Sequence, residues 1–547
     1  MIVSIFNDVV GPVMRGPSSS HCAAALRIGR IARDLMGGKI DHVLVQFDNS
    51  GSLPATHQSQ GSDMGLFGGL LGWNADDDRL PQSGEWLKKA GIDLEFEYGD
   101  FGDPHPNTYR LQLRQGSQTR SLIAISTGGG MFEVIQIDGC ELSIGGDYDE
   151  TLVWLNPAAA ATSAALDCAT LSDEWSADLV QVIATEHGPL VRAGAQQTID
   201  RTMIERFIDS DQIANVDHLH AVLPVRSRRD LRVPFQTCDG MLKVAASTDT
   251  HRLSQLAIEY EQARSGLGEA ELIEKMSEIV RILRRSVQEG LKGTSYEDRV
   301  LGFQSGGFQQ AMDQGRLLDG GVLNQMVLYT TALMEVKSSM GVIVAAPTAG
   351  ACAAFPAVCL AMGESLELND GEIAKAMLAG GMIGVFIATH WSFAAEVGGC
   401  QAEGGSAAAM SAAALVEFSG GNASTACGAA SMAMQNMLGL ICDPVANRVE
   451  VPCLGKNVLA ASNAFSCANM ALSGFDAVIP LDETIAAAKA VAERMPREHR
   501  CTALGGLSVT PTSLAIQKRL EEGCGSCGCG VTSISSDKVS SPLKSSH

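Results

Sequence analysis

Three cysteines in the last third of the chain lie where their thiols could bind a metal. Cys400 follows two glycines in GGCQAEGG, Cys442 lies in GLICDPVANR, and Cys453 lies in VEVPCLGKN. We expect each at a helix terminus, where several helix ends can converge and where a helix N-terminus stabilises a thiolate. Their spacing is much wider than the compact CxxCxxC of ferredoxins. Spacing alone therefore leaves metal binding and ordinary core packing equally open.

Three other cysteines have surroundings typical of a packed core. Cys352, Cys427 and Cys467 lie in runs of alanine, serine and methionine such as STACGAASMAM and NAFSCANMAL. A buried cysteine commonly behaves as a small apolar residue. We expect these three to fill space between helices.

Composition limits the class of protein and its partners. The chain has 547 residues, which predicts two to four domains, and a formal net charge of -22 without any block of Lys or Arg. Nucleic-acid partners are not expected, because they require a positive surface. The N-terminus MIVSIFNDVVGP lacks the basic start of a signal peptide, and apolar runs such as GMIGVFIA are too short to span a bilayer. We expect a cytoplasmic protein with reduced thiols, no membrane partner and a homodimeric assembly.

Periodicity predicts an α+β chain whose domains differ in secondary structure and composition. Residues 1–152 mix strands with helices near 22–36 and 62–73 and form an α/β domain, and residues 153–235 form a small βαβαβ module. Residues 236–522 are helical nearly throughout and become rich in Ala, Gly and Ser. The polar, Cys- and Ser-rich segment 523–547 is expected to be a flexible tail.

Several long motifs resemble one family of enzymes. SMGVIVAAPTAGA, GGCQAEGG, LGLICDPVANRVEVPCLGKN and FDAVIPLDETI are similar to the catalytic, alpha-type domain of iron-sulfur L-serine dehydratases. GPVMRGPSSSHCAAALRIGR, GSLPAT, GDPHPNT and STGGG resemble the beta-type domain of the same family. The resemblance covers roughly residues 1–150 and 240–515, so both domains lie in a single chain.

The resemblance implies a 4Fe-4S cluster held by Cys400, Cys442 and Cys453. In the family, three cysteines leave one iron without a protein ligand, and that iron acts as a Lewis acid on the β-hydroxyl of the amino-acid substrate. Loss of water and then of ammonia yields pyruvate. Pyridoxal phosphate is not implied, although Lys337 in EVKSSMG is the lysine to exclude.

The first domain is expected to close over the cluster and to contact the substrate. Ser18, Ser19, Ser20 and His21 precede a helix in GPSSSHC, where they either cap that helix or bind the substrate carboxylate, and we favour binding. The resemblance also implies that further residues of the family motifs act at the site. These are Asp63, His105, Asn107 and Thr348.

One motif departs from the family pattern. Many members read approximately TGKGHGTD where this chain has THQSQGSD, so that Gln60 stands at the position of a histidine that is a candidate base. A glutamine side chain cannot accept the proton, and His57 or His105 is expected to serve instead. The same chemistry on cysteine or on another β-hydroxy amino acid stays open, as does a non-catalytic iron-sulfur sensor.

The segment CGSCGCG near the C-terminus carries Cys524, Cys527 and Cys529. Three thiols on a glycine-rich string lack a fourth ligand and a rigid support, so a structural metal site is not expected there. Two interpretations stay open, a mobile extension or a thiolate that reaches the open iron.

Overall fold

Alternating apolar residues build a six-stranded sheet in the first third of the chain. In HVLVQFD, for example, Val43, Val45 and Phe47 point to one face and are buried. The computed structural model describes residues 2–159, 163, 166–248 and 251–523. The order of the sheet is β3-β2-β4-β5-β6-β7, and the β2/β3 pair is its parallel pair. Its strands are β2 (His42–Asp48), β3 (Asp93–Gly99), β4 (Thr108–Gln115), β5 (Gln118–Gly128), β6 (Met131–Ile137) and β7 (Cys140–Ile144).

Two helices of this domain approach each other closely. A side chain at Gly29 or Gly69 would collide with the backbone of the opposite helix, so glycine permits the contact. A π-helical turn, Ser19–Ala23, leads directly into the helix that carries Gly29. The close pair therefore fixes the position of the segment that carries Ser18 to His21. The helices are α1 (Ala24–Leu35), α2 (Leu53–Thr56), α3 (Ser62–Leu70) and α4 (Ser83–Lys89).

The central module has one more strand than the sequence predicts. It runs β8 (Asp149–Leu155), α5 (Cys168–Glu174), β9 (Ala177–Ile183), β10 (Leu190–Ala195), α6 (Arg201–Ile204) and β11 (Ile213–Leu219). Its four antiparallel strands follow the order β11-β8-β10-β9, which is the ferredoxin-like βαββαβ arrangement. The prediction missed β10 because every one of its residues is buried, so LVRAGA shows no alternation.

Closely packed helices make up the rest of the described chain. The mixed α+β class predicted from periodicity is confirmed. The helix Asp370–His390 is long and apolar enough to cross a bilayer, but 78% of its most apolar window is buried among other helices. The helices are α7 (Cys238–Thr248), α8 (Leu253–Ser265), α9 (Glu269–Lys292), α10 (Ser305–Asp313), α11 (Val322–Ser338), α12 (Ala354–Ser365), α13 (Asp370–His390), α14 (Ala395–Gly398), α15 (Ser406–Phe418), α16 (Ala423–Gln435), α17 (Cys453–Leu472), α18 (Leu481–Arg494) and α19 (Pro511–Gly523).

The first residues of the chain pack inside the helical domain rather than on the sheet. Ile5 and Val9 are fully buried in the core of that domain, and the Ser4 hydroxyl donates to a Glu261 carboxylate oxygen at 2.6 Å. The short strand β1 (Val13–Met14) pairs with β12 (Ile343–Val344). This N-terminal segment joins the two large domains and brings the loop after it against the helical domain.

Candidate active site

The serines before α1 form a buried network around His21. The Thr56 hydroxyl donates to the Ser52 carbonyl at 2.7 Å, so its oxygen accepts a hydrogen from His21 Nε2 at 2.8 Å. His21 Nδ1 is then an acceptor, and the Ser18 hydroxyl donates to it at 2.9 Å. Burial lowers the pKa of His21, although the charge of Glu396 opposes the shift, so the ring is neutral at pH 7. Ser18 thus binds His21 and does not cap the helix.

Ser19 and Ser20 connect this network to the helical domain. The backbone N–H of Ala349 donates to Ser19 Oγ at 3.1 Å, and the Ser20 hydroxyl donates to Glu396 Oε1 at 2.8 Å. The predicted contact between the first domain and the catalytic half of the chain is therefore direct at both serines.

Glu396 lies at this junction with half of its carboxylate unpaired. Its Oε1 atom accepts from Ser20 and lies 3.4 Å from His21 Nδ1. Its Oε2 atom is buried and has no hydrogen-bond partner among the described residues. A buried acceptor without a donor is costly, so the site is suited to a ligand that brings one. Sequence analysis missed Glu396, although it lies four residues before Cys400 in EVGGC.

The Asn107 side chain has an unpaired donor, whereas Glu396 has an unpaired acceptor. The Asn107 Oδ1 atom accepts from the Ser52 hydroxyl, whereas its buried Nδ2 has no acceptor among the described residues. Its backbone N–H donates to His105 Nδ1 at 3.2 Å, which places the proton of a neutral ring on Nε2. Burial lowers the pKa of His105, and the charge of Glu396 opposes the shift. His105 in this tautomer is a hydrogen-bond donor.

His57 has both ring nitrogens occupied. Nδ1 is 2.6 Å from Asp63 Oδ1, and Nε2 is 2.8 Å from the Tyr98 hydroxyl. The ring also lies against Phe47 and Phe96, with centroid distances of 5.3 and 4.9 Å. These contacts hold the turn between α2 and α3 in place. A base role for His57 stays a prediction, and it requires the imidazole to exchange at least one of these partners.

Gln60, at the departure from the family pattern, points toward the cysteines. Its side chain is buried, and its Nε2 atom donates to Asn447 Oδ1 at 3.1 Å and to Cys501 Sγ at 3.5 Å. This position therefore contacts the thiol-bearing loops directly.

The three predicted ligand cysteines lie near one another in the helical domain. Cys400 immediately precedes the π-helical turn Gln401–Gly405, and Cys453 begins α17, as predicted. Cys442 is not at a helix end, because α16 stops at Gln435 and the chain turns through Gly439 in the left-handed region. All three thiols are buried, and none is in a disulfide.

A fourth cysteine, which sequence analysis missed, belongs to this group. Cys400, Cys442 and Cys501 pack in one buried group. The thiols of Cys400 and Cys501, together with burial, raise the pKa of Cys442 well above the usual value. Burial also raises the pKa of Cys453, and the nearby Cys400 adds to the shift. We refer to Cys400, Cys442, Cys453 and Cys501 as the thiol cluster.

Lys456 supplies positive charge to the thiol cluster. Its Nζ atom is 3.6 Å from Cys400 Sγ and 2.7 Å from Asp443 Oδ1, and it donates to the Ile441 carbonyl at 2.6 Å. Burial alone would lower the pKa of Lys456, but the negative charges of Cys400 and Asp443 outweigh it and raise the pKa. The ammonium is therefore charged and favours thiolates over thiols.

The spacing of the thiol cluster does not match the ligand set of a single zinc ion. Four sulfurs bound to one zinc at 2.3 Å would lie only about 3.8 Å apart. Among the described residues, no three of these sulfurs lie within 4.8 Å of one another; the group that meets that limit is His42, Asp93 and Glu95, at a sheet edge far from any cysteine in sequence. The thiols are buried and outside any disulfide, so they are available as ligands.

Glu403 and Thr348 lie beside the thiol cluster. The Thr348 hydroxyl donates to Glu403 Oε1 at 2.7 Å and accepts from the Ala351 N–H at 3.1 Å. Burial raises the pKa of Glu403 to about 7, against the Thr348 hydrogen bond and the positive charges of Lys337 and Lys456. Glu403 can therefore gain and lose a proton near neutral pH. Sequence analysis did not identify it.

Lys337 is fully buried in α11. Its ammonium donates to the Val449 carbonyl, and its charge acts on Glu403, Glu450 and Cys352. Lys337 thus contributes positive charge to the buried acidic groups and the thiol around it. The core cysteines Cys352, Cys427 and Cys467 lie in the hydrophobic core, in keeping with the packing role expected of them.

The fold and the site define an enzyme with two interlocked domains and a buried thiol centre at their junction. Residues 248–508 match the family model described as "Serine dehydratase alpha chain". The chain belongs to the L-serine dehydratase family, which confirms the resemblance seen in its motifs, and it is a lyase.

The relatives include both alpha chains and a beta chain. The chain is 35% identical over 268 residues to a probable L-serine dehydratase alpha chain of Bacillus subtilis, which covers 49% of this chain and 89% of the relative. The L-serine dehydratase alpha chain of Peptoniphilus asaccharolyticus is 36% identical over 275 residues, 50% of this chain and 94% of the relative. A probable beta chain from Bacillus subtilis is 39% identical over 150 residues, 27% of this chain and 67% of the relative.

Proposed function

We propose that this protein is an iron-sulfur L-serine dehydratase that forms pyruvate and ammonia in the cytoplasm. One observation carries the proposal: at one buried junction, the acceptor Glu396 Oε2 and the donor Asn107 Nδ2 both lack partners among the described residues. A free amino acid has an ammonium group that can donate and a carboxylate that can accept, so it can supply a partner to each of these two atoms. The names of the relatives supply serine as the amino acid.

The thiol cluster supports the cofactor part of the proposal. Cys400, Cys442 and Cys453 would hold a 4Fe-4S cluster, with the Lys456 ammonium offsetting the negative charge of the thiolates. When bound, such a cluster supplies a Lewis acid that assists departure of the β-hydroxyl. The chain's own residues orient the amino acid and handle its protons.

Glu396 and the donors around Asn107 orient the substrate. We assign the substrate ammonium to Glu396 Oε2, next to the Ser20 hydroxyl that already holds Oε1. We assign the substrate carboxylate to Asn107 Nδ2 and to Nε2–H of His105, because the Asn107 backbone fixes His105 as a donor. Fixed donors and acceptors in a buried site position the substrate without reorganisation.

We assign removal of the α-proton to Glu403. A general base works best when its pKa is close to the working pH, and burial brings the pKa of Glu403 to about 7. The alternatives fit less well, since His57 has both nitrogens paired and His105 is held as a donor. Loss of the α-proton and the β-hydroxyl leaves 2-aminoacrylate, which becomes an imine and takes up water to give pyruvate and ammonia.

The test is turnover by the purified protein in the absence of oxygen. With L-serine we expect equal amounts of pyruvate and ammonia, measured by lactate dehydrogenase coupling and by an ammonia assay. L-Cysteine as an alternative substrate would release sulfide instead of water, so sulfide production favouring L-cysteine over L-serine would reassign the substrate. A protein that carries iron and sulfide but turns over no amino acid would be a sensor and would contradict the proposal.

The Glu396→Gln variant tests the ammonium site. A charge-assisted hydrogen bond contributes about 1.5–3 kcal/mol, so we expect kcat/KM for L-serine to fall about ten- to hundredfold, mainly through KM. Glu493→Gln, an exposed carboxylate in α18, is the matched control and should behave like the wild type. An unchanged KM in Glu396→Gln, with the iron content intact, would remove Glu396 from the substrate site. The predicted homodimer stays a prediction.

A further inference from the structure

Asn447 lies in the loop 443–452, between two of the proposed cluster ligands, and its buried side chain reaches the first domain. Its Nδ2 atom donates to the Ala55 carbonyl at 2.5 Å and to Ser59 Oγ at 3.0 Å. Its Oδ1 atom accepts from Gln60 Nε2 at 3.1 Å. One amide side chain of the helical domain thus makes three hydrogen bonds to a short stretch of the first domain.

The backbone at Asn447 has a conformation that few residues adopt. Ala446 and Asn447 both have positive φ angles, 51° and 56°, which lie in the left-handed region. Asparagine is one of the few residues besides glycine that visit this region readily, whereas alanine is disfavoured there. A strained backbone of this kind persists only where the surrounding structure imposes it. The strained turn places the Asn447 amide against the first domain.

The loop 443–452 is fastened to the helical domain on its other side. The Ala446 N–H donates to Ser513 Oγ at 2.8 Å, and the Ser508 hydroxyl donates to the Pro444 carbonyl at 2.8 Å. The cysteines at both ends of the loop belong to the thiol cluster. A metal that joins the two ends of a loop restricts its conformations, so a bound cluster would complete these restraints.

The first-domain residues bonded to the Asn447 amide lie within 55–60, which we call the contact loop. The contact loop includes Thr56, whose hydroxyl oxygen accepts from His21 Nε2 at 2.8 Å. His21 Nδ1 lies 3.4 Å from Glu396 Oε1, on the carboxylate assigned to the substrate ammonium. Displacement of the contact loop would therefore remove the partner that orients His21 beside the substrate site.

We propose that Asn447 is a positioning residue that holds the contact loop against the loop 443–452, so that the order of the contact loop depends on the iron-sulfur cluster. The inference rests on the proposed function and connects its cluster to its substrate site. Without the cluster, the loop 443–452 loses the restraint at its two ends and the hydrogen bonds of the Asn447 amide open more often. The contact loop then becomes mobile, and Thr56 moves with it.

Hydrogen–deuterium exchange tests the proposal in the full-length protein, under anaerobic conditions, with the cluster bound and after a chelator has removed the iron. We expect amide exchange in residues 53–62 of the wild type to become about tenfold faster when iron is removed. Asn447→Gly keeps the left-handed backbone but has no amide side chain, so exchange there should be fast in both forms. Ala446→Gly, the matched control, leaves the Asn447 amide in place and should follow the wild type.

A kinetic measurement separates positioning from a general loss of stability. With its iron intact, Asn447→Gly should raise the KM for L-serine about tenfold and leave kcat within about twofold, because the contact loop supports binding rather than the reacting groups. Asn447→Asp has nearly the same shape but cannot donate to the Ala55 carbonyl, and it should show the same rise in KM. Exchange in α9 should match the wild type in both variants, which would show that they are folded.

The outcomes separate this inference from the function on which it rests. A wild type that takes up no iron refutes the proposed cluster and this inference with it. If the wild type carries iron and turns over L-serine, but exchange in residues 53–62 is the same with and without iron, only the role of Asn447 is refuted, and this comparison needs no variant. Wild-type exchange in both forms of Asn447→Gly refutes it as well. Cys524, Cys527 and Cys529 are present in the full-length protein tested, but they lie outside the described residues.

Discussion

Replacing Cys400, Cys442 or Cys453 by serine is expected to abolish the iron-sulfur cluster and the turnover of L-serine together. Each thiol is buried in the thiol cluster beside the charged Lys456, and a neutral serine hydroxyl is a poor ligand for iron. Iron should fall from about four per chain to near zero, with loss of the brown colour, and pyruvate formation should fall to background. Iron and sulfide analysis, visible absorbance and the anaerobic assay measure all three effects.

Two other cysteines provide controls of the same chemistry. Cys427→Ser and Cys467→Ser change buried core thiols whose partners are Cys238 for the first, and Asn436 and Asn463 for the second. Both should keep iron and activity, with some loss of stability, as is usual for buried substitutions. Equal loss of iron in the two groups of variants would contradict the ligand assignment, because misfolding would then explain the loss.

The Glu403→Gln variant is expected to lose about 10²- to 10⁴-fold in kcat, the usual contribution of a general base, while keeping its iron. Glutamine preserves the size of the side chain and the hydrogen bond from Thr348 but cannot accept a proton. A variant that kept near-normal kcat would show that Glu403 is not the base. If His57→Ala then abolished turnover with the cluster intact, His57 would be the base.

The same residue sets the pH dependence. Burial raises the pKa of Glu403 to about 7, with the neighbouring Glu396 adding to the shift and Lys337, Lys456 and the Thr348 hydroxyl opposing it. Only the carboxylate form is a base, and it is lost as pH falls through about 7. We therefore expect kcat/KM to fall about tenfold per unit on the acid side and to level off above about 8. The residual activity of Glu403→Gln should not show this fall of kcat/KM on the acid side.

Long periodic segments made most of the fold predictable. The helices at Glu269–Lys292 and Leu253–Ser265 follow their apolar pattern, and the early helix ends near the predicted residue. The strand Leu190–Ala195 was missed because it is buried on both faces and has no alternation, a pattern that a short sequence window cannot distinguish from a loop or helix.

The candidate site was predictable where a motif concentrates its residues and not where the fold assembles them. Cys400, Cys442 and Cys453 lie in long, unusual motifs, so they could be named from the sequence. Cys501 lies in an ordinary loop, and only the backbone bonds to Cys442 bring its thiol into the group. For Glu403, the informative property is burial, which raises its pKa and which no local pattern reveals.

The burial of the N-terminal segment has a consequence for synthesis on the ribosome. Ser4 is bonded to Glu261, Gly11 donates to the Ala345 carbonyl, and the first strand pairs with Ile343–Val344, so the earliest residues made have their partners hundreds of positions later. Until those partners leave the exit tunnel, Ile5 and Val9 stay exposed to solvent as an apolar segment. Contacts this distant in sequence form slowly, and the nascent chain is open to aggregation meanwhile. The completed protein therefore depends on its last half to protect its first ten residues, and holdase chaperones are expected to bind that end during translation.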